Sequence, residues 1–429
     1  MARISGITGI IIIGILFTFR ASFADYNYPI NNPLAATIVG TPSTMKGILP
    51  SDIGVQERTL PILAEKKAPD GLWYNRDLKY SVALQDNKAP LVFVIAGTGA
   101  SYSSQKMKVL QKNFYKAGYH VVNISSPSHS NFIVSASQGS VPGNLWIDAI
   151  DLHKVMVRIQ QTLIGQADIN GYSVSGYSLG GSHAAFVSAY DSQVKHFNFQ
   201  KVLLINPAVN LYNSTAILDG MLDNSPYGSE GGVERLLSEV FETIVESFER
   251  EDFTEFSEDF LYLAYKEKRP TNAEMAALIG VSFRLSASNM IFTSDVMSKS
   301  GFIYPKDEEF GVTTSTTPYL GRLATVNFKT YISDLFFPHF KSLYPEITLQ
   351  KLIFGSSLNA IENHIRGNPK FSLVTNADDI ILAPGELSYL QSLFAGRAWI
   401  FPNGGHCGNL EHKDVLEAIS SALRTTGKS

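Results

Sequence analysis

The run APLVFVIAG, residues 89–97, constrains the fold more than any other stretch of the chain. Its apolar residues follow one another without the alternation that a strand with one wet face requires. Bounded by Pro90 and Gly97, the run is too short for a membrane span and reads as a strand covered on both faces. Such strands sit in the middle of parallel sheets, so helices have to come before and after them.

The flanking sequence supplies those helices. SSQKMKVLQKNFYKAG places Met107, Leu110 and Phe114 on one side and stops at Gly118, a helical spacing with a C-terminal glycine. YHVVNIS returns to strand. NLWIDAIDLHKVMVRIQQTLIG carries Trp146, Ile150, His153, Val157 and Ile164 along one side of a second helix. DINGYSVSG is a strand, AAFVSAYDS a helix and KVLLINP a strand. GLWYNRDLKYSVALQ, upstream of the central run, suggests a strand pair. The alternation predicts an α/β fold: a mostly parallel sheet with helices on both faces.

The pattern changes after Pro207. From Val209 to about Leu343 it is mainly helical, with Val233, Leu236, Leu237, Val240, Phe241, Ile244, Val245 and Phe248 forming an amphipathic stripe. Phe253, Phe256 and Phe260 extend it, and acidic residues from Glu239 to Asp252 crowd the other side. Thr271 followed by Glu274 marks a helix start. Strand and helix patterns resume in TLQKLIFGSSLNAIENHIRGNP, KFSLVTNADDIIL, RAWIFPN and HKDVLEAISSALRTT. The expected organisation is a signal peptide at 1–24, an extended arm at 25–61, a sheet core in two parts at 62–208 and 345–429, and a helical cap inserted at 209–344.

Composition excludes some classes. Thirty-five basic and 39 acidic residues give a net charge of −4, without the electrostatic footprint of a nucleic-acid binder. Arg3 precedes an apolar run from Ile4 to Phe19, and Ser22 and Ala24 have signal-peptidase spacing, so the expected location is secreted or periplasmic. An uncleaved membrane anchor is the alternative, kept open by Arg20. Cys407 is the only cysteine, which rules out an intramolecular disulfide. HExxH, CxxC and calcium-loop motifs are absent, so neither metal nor cofactor is expected.

GYSLG, residues 176–180, is a G-x-S-x-G elbow standing where a strand gives way to a helix. A tight turn there pushes Ser178 out at the carboxyl edge of the sheet. Leu179 and Gly180 open the helix, so their N–H groups and the helix dipole favour an anion beside the serine. Ser173 and Ser175 fall within the strand and read as structural. A serine hydroxyl needs a base, and the base needs an orienting acid. His406, in NGGHCGN after the last strand, sits on a glycine-rich turn free to reach back. His412 starts the closing helix and reads as a surface residue. His120, His153 and His183 fall in regular elements, and His129, in SSPSHSN, reads as a loop residue, with lining of the pocket as the alternative. TNADDIIL offers Asp378 and Asp379 at a strand end.

With these residues the chain resembles the α/β-hydrolase superfamily, over about residues 70–207 and 345–429. The acid in that superfamily is commonly followed by one variable residue and two aliphatics, which implies Asp378 ahead of Asp379, Ile380 and Ile381, with Asp379 as the alternate. An acid one strand earlier finds no candidate, because INPAVNLY offers only Asn206 and Asn210. The resemblance also implies a second oxyanion donor on the loop after LVFVIAG: Thr98 N–H beside Leu179 N–H, with Gly99 as substitute. Where the superfamily often has His-Gly-x, this chain has Ala96, Gly97 and Thr98.

The expected function is a secreted serine hydrolase cleaving carboxylic esters through an acyl-enzyme on Ser178, its substrate a small-molecule or lipid ester. The alternative is a non-catalytic binding or adhesion protein on the same scaffold with a vestigial triad.

Overall fold

The computed structural model describes residues 26–424 apart from 63–66, 230, 237, 240–261, 263, 264 and 267. The expected signal segment, most of the amphipathic stripe, Phe253, Phe256, Phe260 and the acidic residues from Glu242 to Asp252 lie outside the described residues.

Eight strands form one sheet: β1 (Gln56–Leu60), β2 (Leu78–Ala83), β3 (Ala89–Ile95), β4 (His120–Ile124), β5 (Ile169–Tyr177), β6 (Lys201–Ile205), β7 (Phe371–Asn376) and β8 (Ala398–Phe401). Their spatial order is β1-β2-β4-β3-β5-β6-β7-β8. Strand β2 runs antiparallel to both its neighbours, and every pairing from β4 to β8 is parallel. The described helices are α1 (Pro33–Val39), α2 (Gln105–Lys116), α3 (Ser130–Ser135), α4 (Leu145–Leu163), α5 (Leu179–Val194), α6 (Leu211–Asp223), α7 (Asn272–Ser298), α8 (Thr317–Thr325), α9 (Phe337–Leu343), α10 (Leu349–Gly355), α11 (Glu386–Phe394) and α12 (Lys413–Leu423), with single turns between some of them.

Strand β3 behaves as its unbroken apolar run requires. Leu91, Phe93 and Ile95 face a core shared with Leu152, Val155 and Phe186 of α4 and α5. Val92 and Val94 face the opposite side, with Leu110 and Phe114 of α2 and Ile419 of α12. All five strand residues are fully buried. Each contributes about 2 kcal/mol of apolar transfer, so the centre of the sheet is a rigid base for the loops at its carboxyl edge. A separate core joins α7 and the helices after it to Leu72, Ile133, Val134 and Val141. Helix α7 begins with the capping box that Thr271 and Glu274 predict, Thr271 Oγ1 accepting from Glu274 N–H while the Glu274 carboxylate accepts from Thr271 N–H.

Some elements differ from expectation. Residues 71–85 do not form a strand pair: Asp70–Asn75 is a short 3-10 helix and only Leu78–Ala83 is a strand. Within the helix only Leu72 and Asn75 are buried, a three-residue spacing that fits a helical turn rather than strand alternation. The partner of β2 is β1, which comes from the stretch read as an extended arm. That stretch also folds into α1, where Asn32 accepts from the Leu34 and Ala35 N–H groups and Pro33 takes the first helical position. Residues 348–369 break after α10 into two single turns, where Ser357 bridges to Asn210.

Helix α4 buries two acids, Asp148 and Asp151. Burial pushes the Asp151 carboxyl up to about 6, against the Gln138 N–H and Lys154, which favour its charged form. A folded-state value above the unfolded one means that the stabilising proton is fully held below about pH 4 and lost as pH rises through about 6. Asp151→Asn keeps an acceptor for Gln138 N–H and removes that charge. We expect the variant to be about 1–2 kcal/mol more stable than wild type at pH 7, allowing for the lost contact with half-exposed Lys154, and the gain to vanish below pH 4. Denaturant titration at both pH values measures it.

Candidate functional site

Ser178 stands at the junction of β5 and α5 with φ 55° and ψ −130°, a region an L-residue occupies only at a cost of about 1–3 kcal/mol. The surrounding glycines make this turn possible. A methyl on Gly176 would overlap the carbonyl of Gly180, and one on Gly180 would overlap the carbonyls of Ile95 and Ala96. Strand β5, helix α5 and the end of β3 therefore approach more closely than any side chain permits. Ser178 is left half-buried with its hydroxyl facing outward, while Ser173 and Ser175 are buried within β5. An elbow after the fifth strand, in a sheet of this order with its second strand reversed, decides the fold. The chain has the α/β-hydrolase fold.

In this hydrolase scaffold the loops after β7 and β8 come to the serine. His406 Nε2 lies 2.9 Å from Ser178 Oγ, and its Nδ1 lies 2.9 Å from Asp379 Oδ1 and 3.2 Å from Oδ2. A carboxylate can only accept, so Nδ1 carries the proton and the Nε2 lone pair faces the serine O–H. The Asp379 side chain is fully buried and the imidazole is 17% exposed, so a substrate can reach the serine side of the ring while the acid stays dry. Asp379 Oδ2 also accepts from Asn206 Nδ2 at 2.8 Å, and Oδ1 from Ile381 N–H at 3.2 Å. These donors hold the carboxylate in place against the ring's N–H.

Asp378, the acid implied by the spacing to the aliphatics, is placed elsewhere. Its two oxygens accept from Gly405 N–H at 2.9 Å and Gly404 N–H at 3.2 Å. Burial holds its carboxyl above the ordinary range, with those two N–H groups acting in the opposite direction. Consecutive residues on the tight turn after β7 point to different sides. Asp379 therefore meets the imidazole ring and Asp378 meets the backbone of the loop that carries it. Asn206, which the sequence offers only as a failed acid, is the residue that orients Asp379.

The two backbone donors expected beside the serine are those of Leu179 and Thr98. Leu179 is the first residue of α5, and among the described residues neither its N–H nor that of Thr98 donates to a protein acceptor. Gly99, the substitute donor, is not free: its N–H donates to Ser128 Oγ at 2.9 Å. A methyl on Gly97 would come within 3.1 Å of Ser178 Cβ, so the loop carrying Thr98 lies directly against Ser178. The loop is braced from the turn after β4 by Ser125 and Ser128, and Ser128 is in turn bonded to Ser126. This serine-rich brace stands where the missing His-Gly-x pattern left the loop without an obvious support, and only the SSPS run hinted at it.

The other histidines have different employment. His129 caps α3 through Nδ1, and burial lowers it to about 4. His153 and His183 are buried against Asp191 and Asp148, and His120 Nδ1 accepts from Gln85 N–H. His412 is not a surface residue: it is fully buried, caps α12, and meets the edges of the Tyr26 and Tyr28 rings. Cys407 is buried beside His406 in sequence, and burial pushes its thiol far above the ordinary range, leaving it inert.

No family model and no curated protein matches the sequence. Solved structures similar to this hydrolase fold include a bacterial heroin esterase, at 15% identity and TM-score 0.41, covering 93% of this chain and 100% of that one. An esterase B from Lactobacillus rhamnosis has 13% identity and TM-score 0.39, covering 88% and 86%. A fungal esterase from Rhizomucor miehei has 14% identity and TM-score 0.41, covering 92% and 97%. The fold rests on the strand order and the elbow, and the chemistry on the distances at Ser178.

Proposed function

We propose that the chain is a serine hydrolase that cleaves carboxylic esters through an acyl-enzyme on Ser178. The observation that carries this reading is the unbroken path from Ser178 Oγ through His406 to Asp379, each step 2.9 Å long, near two backbone N–H groups that have no acceptor among the described residues. Ser178 Oγ adds to the ester carbonyl carbon as His406 Nε2 takes the hydroxyl proton. The carbonyl π pair moves to its oxygen, and the N–H groups of Leu179 and Thr98 hold that oxyanion. One such donor is worth about 100- to 1000-fold in rate. Asp379 stabilises the imidazolium. His406 then gives the proton to the departing alkoxide, the alcohol leaves, and the acyl group stays on Ser178. Water repeats the sequence, its proton passing to His406 and back to Ser178 Oγ as the acid is released.

The acyl and alcohol parts of the substrate meet the helical segment between β6 and β7. Ser286 of α7 lies 3.1 Å from where a methyl on Gly99 would stand, so α7 runs beside the oxyanion loop and is suited to restrict substrate size. On this reading the apolar N-terminal segment exports the chain, and its substrate is a small or lipid ester met outside the cytoplasm.

A nitrophenyl ester series of increasing acyl length tests the reading. At high ester concentration, release of nitrophenolate should begin with a burst approaching one equivalent per chain and continue at the slower deacylation rate. Absence of turnover across the whole series would remove the proposal. The acyl length giving the highest kcat/KM separates a short-chain esterase from a lipase.

A further inference from the structure

The loop that carries His406 is held from outside the sheet. We propose that Thr37, on α1, is a positioning residue for His406, and that residues 26–41 complete the site; the catalytic part of this inference rests on the hydrolase reading above. Thr37 Oγ1 accepts the backbone N–H of His406 at 2.9 Å and donates to Pro33 O at 2.7 Å, so its hydroxyl is fixed in the accepting orientation. Thr41 Oγ1 donates to Gly408 O at 2.9 Å, two residues beyond the histidine. Upstream, Asn403 Nδ2 donates to Ile30 O at 3.0 Å, and Tyr26 O–H donates to Asn403 O at 2.7 Å. The same segment thus grips the loop before, at and after His406.

The contact is closer than side chains permit. Gly405 has φ 56°, and a methyl on it would overlap Pro33 O; a methyl on Gly408 would overlap Ala36 O. The glycines of NGGHCGN therefore serve two purposes. They let the chain turn back toward Ser178, and they let α1 lie against the turn.

Helix α1 also has a second partner. Ala35, Ala36 and Val39 pack with Met275 of α7, and Asn32 Nδ2 donates to Asn272 Oδ1 at 2.8 Å. One seven-residue helix therefore touches both the histidine loop and the start of the long helix that runs beside the oxyanion loop. This assigns function to a segment whose sequence shows no chemical motif.

Thr37→Val keeps the shape and removes the acceptor, and Thr37→Ser restores it. In the full chain, Thr37→Val should lower kcat on a nitrophenyl ester about tenfold with KM within twofold, the size of one lost hydrogen bond at the reacting group. It should also speed amide exchange across residues 403–408, while Thr37→Ser stays within about threefold of wild type in both readouts. Wild-type kcat and exchange in Thr37→Val would overturn the proposal, as would an equal loss in Thr37→Ser, which would make the effect one of packing. Faster exchange with unchanged kcat would likewise deny Thr37 a positioning role. If wild type turns over no ester, the hydrolase reading falls, and exchange in Thr37→Val still decides whether this residue holds the loop: unchanged exchange overturns it.

Discussion

Ser178→Ala should lower kcat on a nitrophenyl ester by about a millionfold, because serine, histidine and acid act as one unit and removing the nucleophile costs as much as removing them all. A residual rate about a thousandfold over water should remain from the oxyanion donors and from binding. The fold should tolerate the change. Ser178 is half-buried, and alanine has the same backbone preferences at φ 55°, so the strain at the elbow is unaltered. Among the described residues its one side-chain hydrogen bond is to His406. Equal thermal midpoints with the burst abolished are the expected pair of results. A variant that retained a tenth of wild-type turnover would show that another group attacks the substrate.

The second large effect discriminates between neighbouring acids. Asp379→Asn should lower kcat by about 10,000-fold, since an amide can turn an N–H toward His406 and force the wrong tautomer on the ring. Asp378→Asn should cost less than about tenfold. Its amide oxygen retains one of the two glycine N–H donors of the histidine loop, and it never touches the imidazole. A reversed order of the two losses would contradict the hydrogen-bond pattern at the ring.

The exchange of roles between these acids shows where the sequence is informative. Ser178 and His406 are legible because each is fixed by its own neighbourhood: the elbow glycines force the serine outward, and the glycine turn frees the histidine. The choice between Asp378 and Asp379 depends on how a turn is wound, and two residues one step apart carry nearly the same pattern. Asn206 was unreadable for a related reason. Its partner is 173 residues away, and the amide matters only through the carboxylate it contacts. The sheet was legible in its interior, where β3 is apolar without interruption, and illegible at its edge. Strand β1, QERTL, buries only Leu60 and has one partner, so its polar sequence resembles a loop. Helix α1 had readable signals in Asn32, Pro33 and Gly40, but seven residues give too little periodicity to establish a packed face. Its function becomes visible only once Thr37 is seen to meet His406.

The most direct test of the central claim is covalent labelling with a fluorophosphonate, located by peptide mass spectrometry. The geometry predicts one adduct per wild-type chain, on Ser178, formed at near-normal rate in Asp378→Asn, slowly in Asp379→Asn and not at all in Ser178→Ala. An unlabelled wild-type chain, or an adduct that persists in Ser178→Ala, would contradict the account.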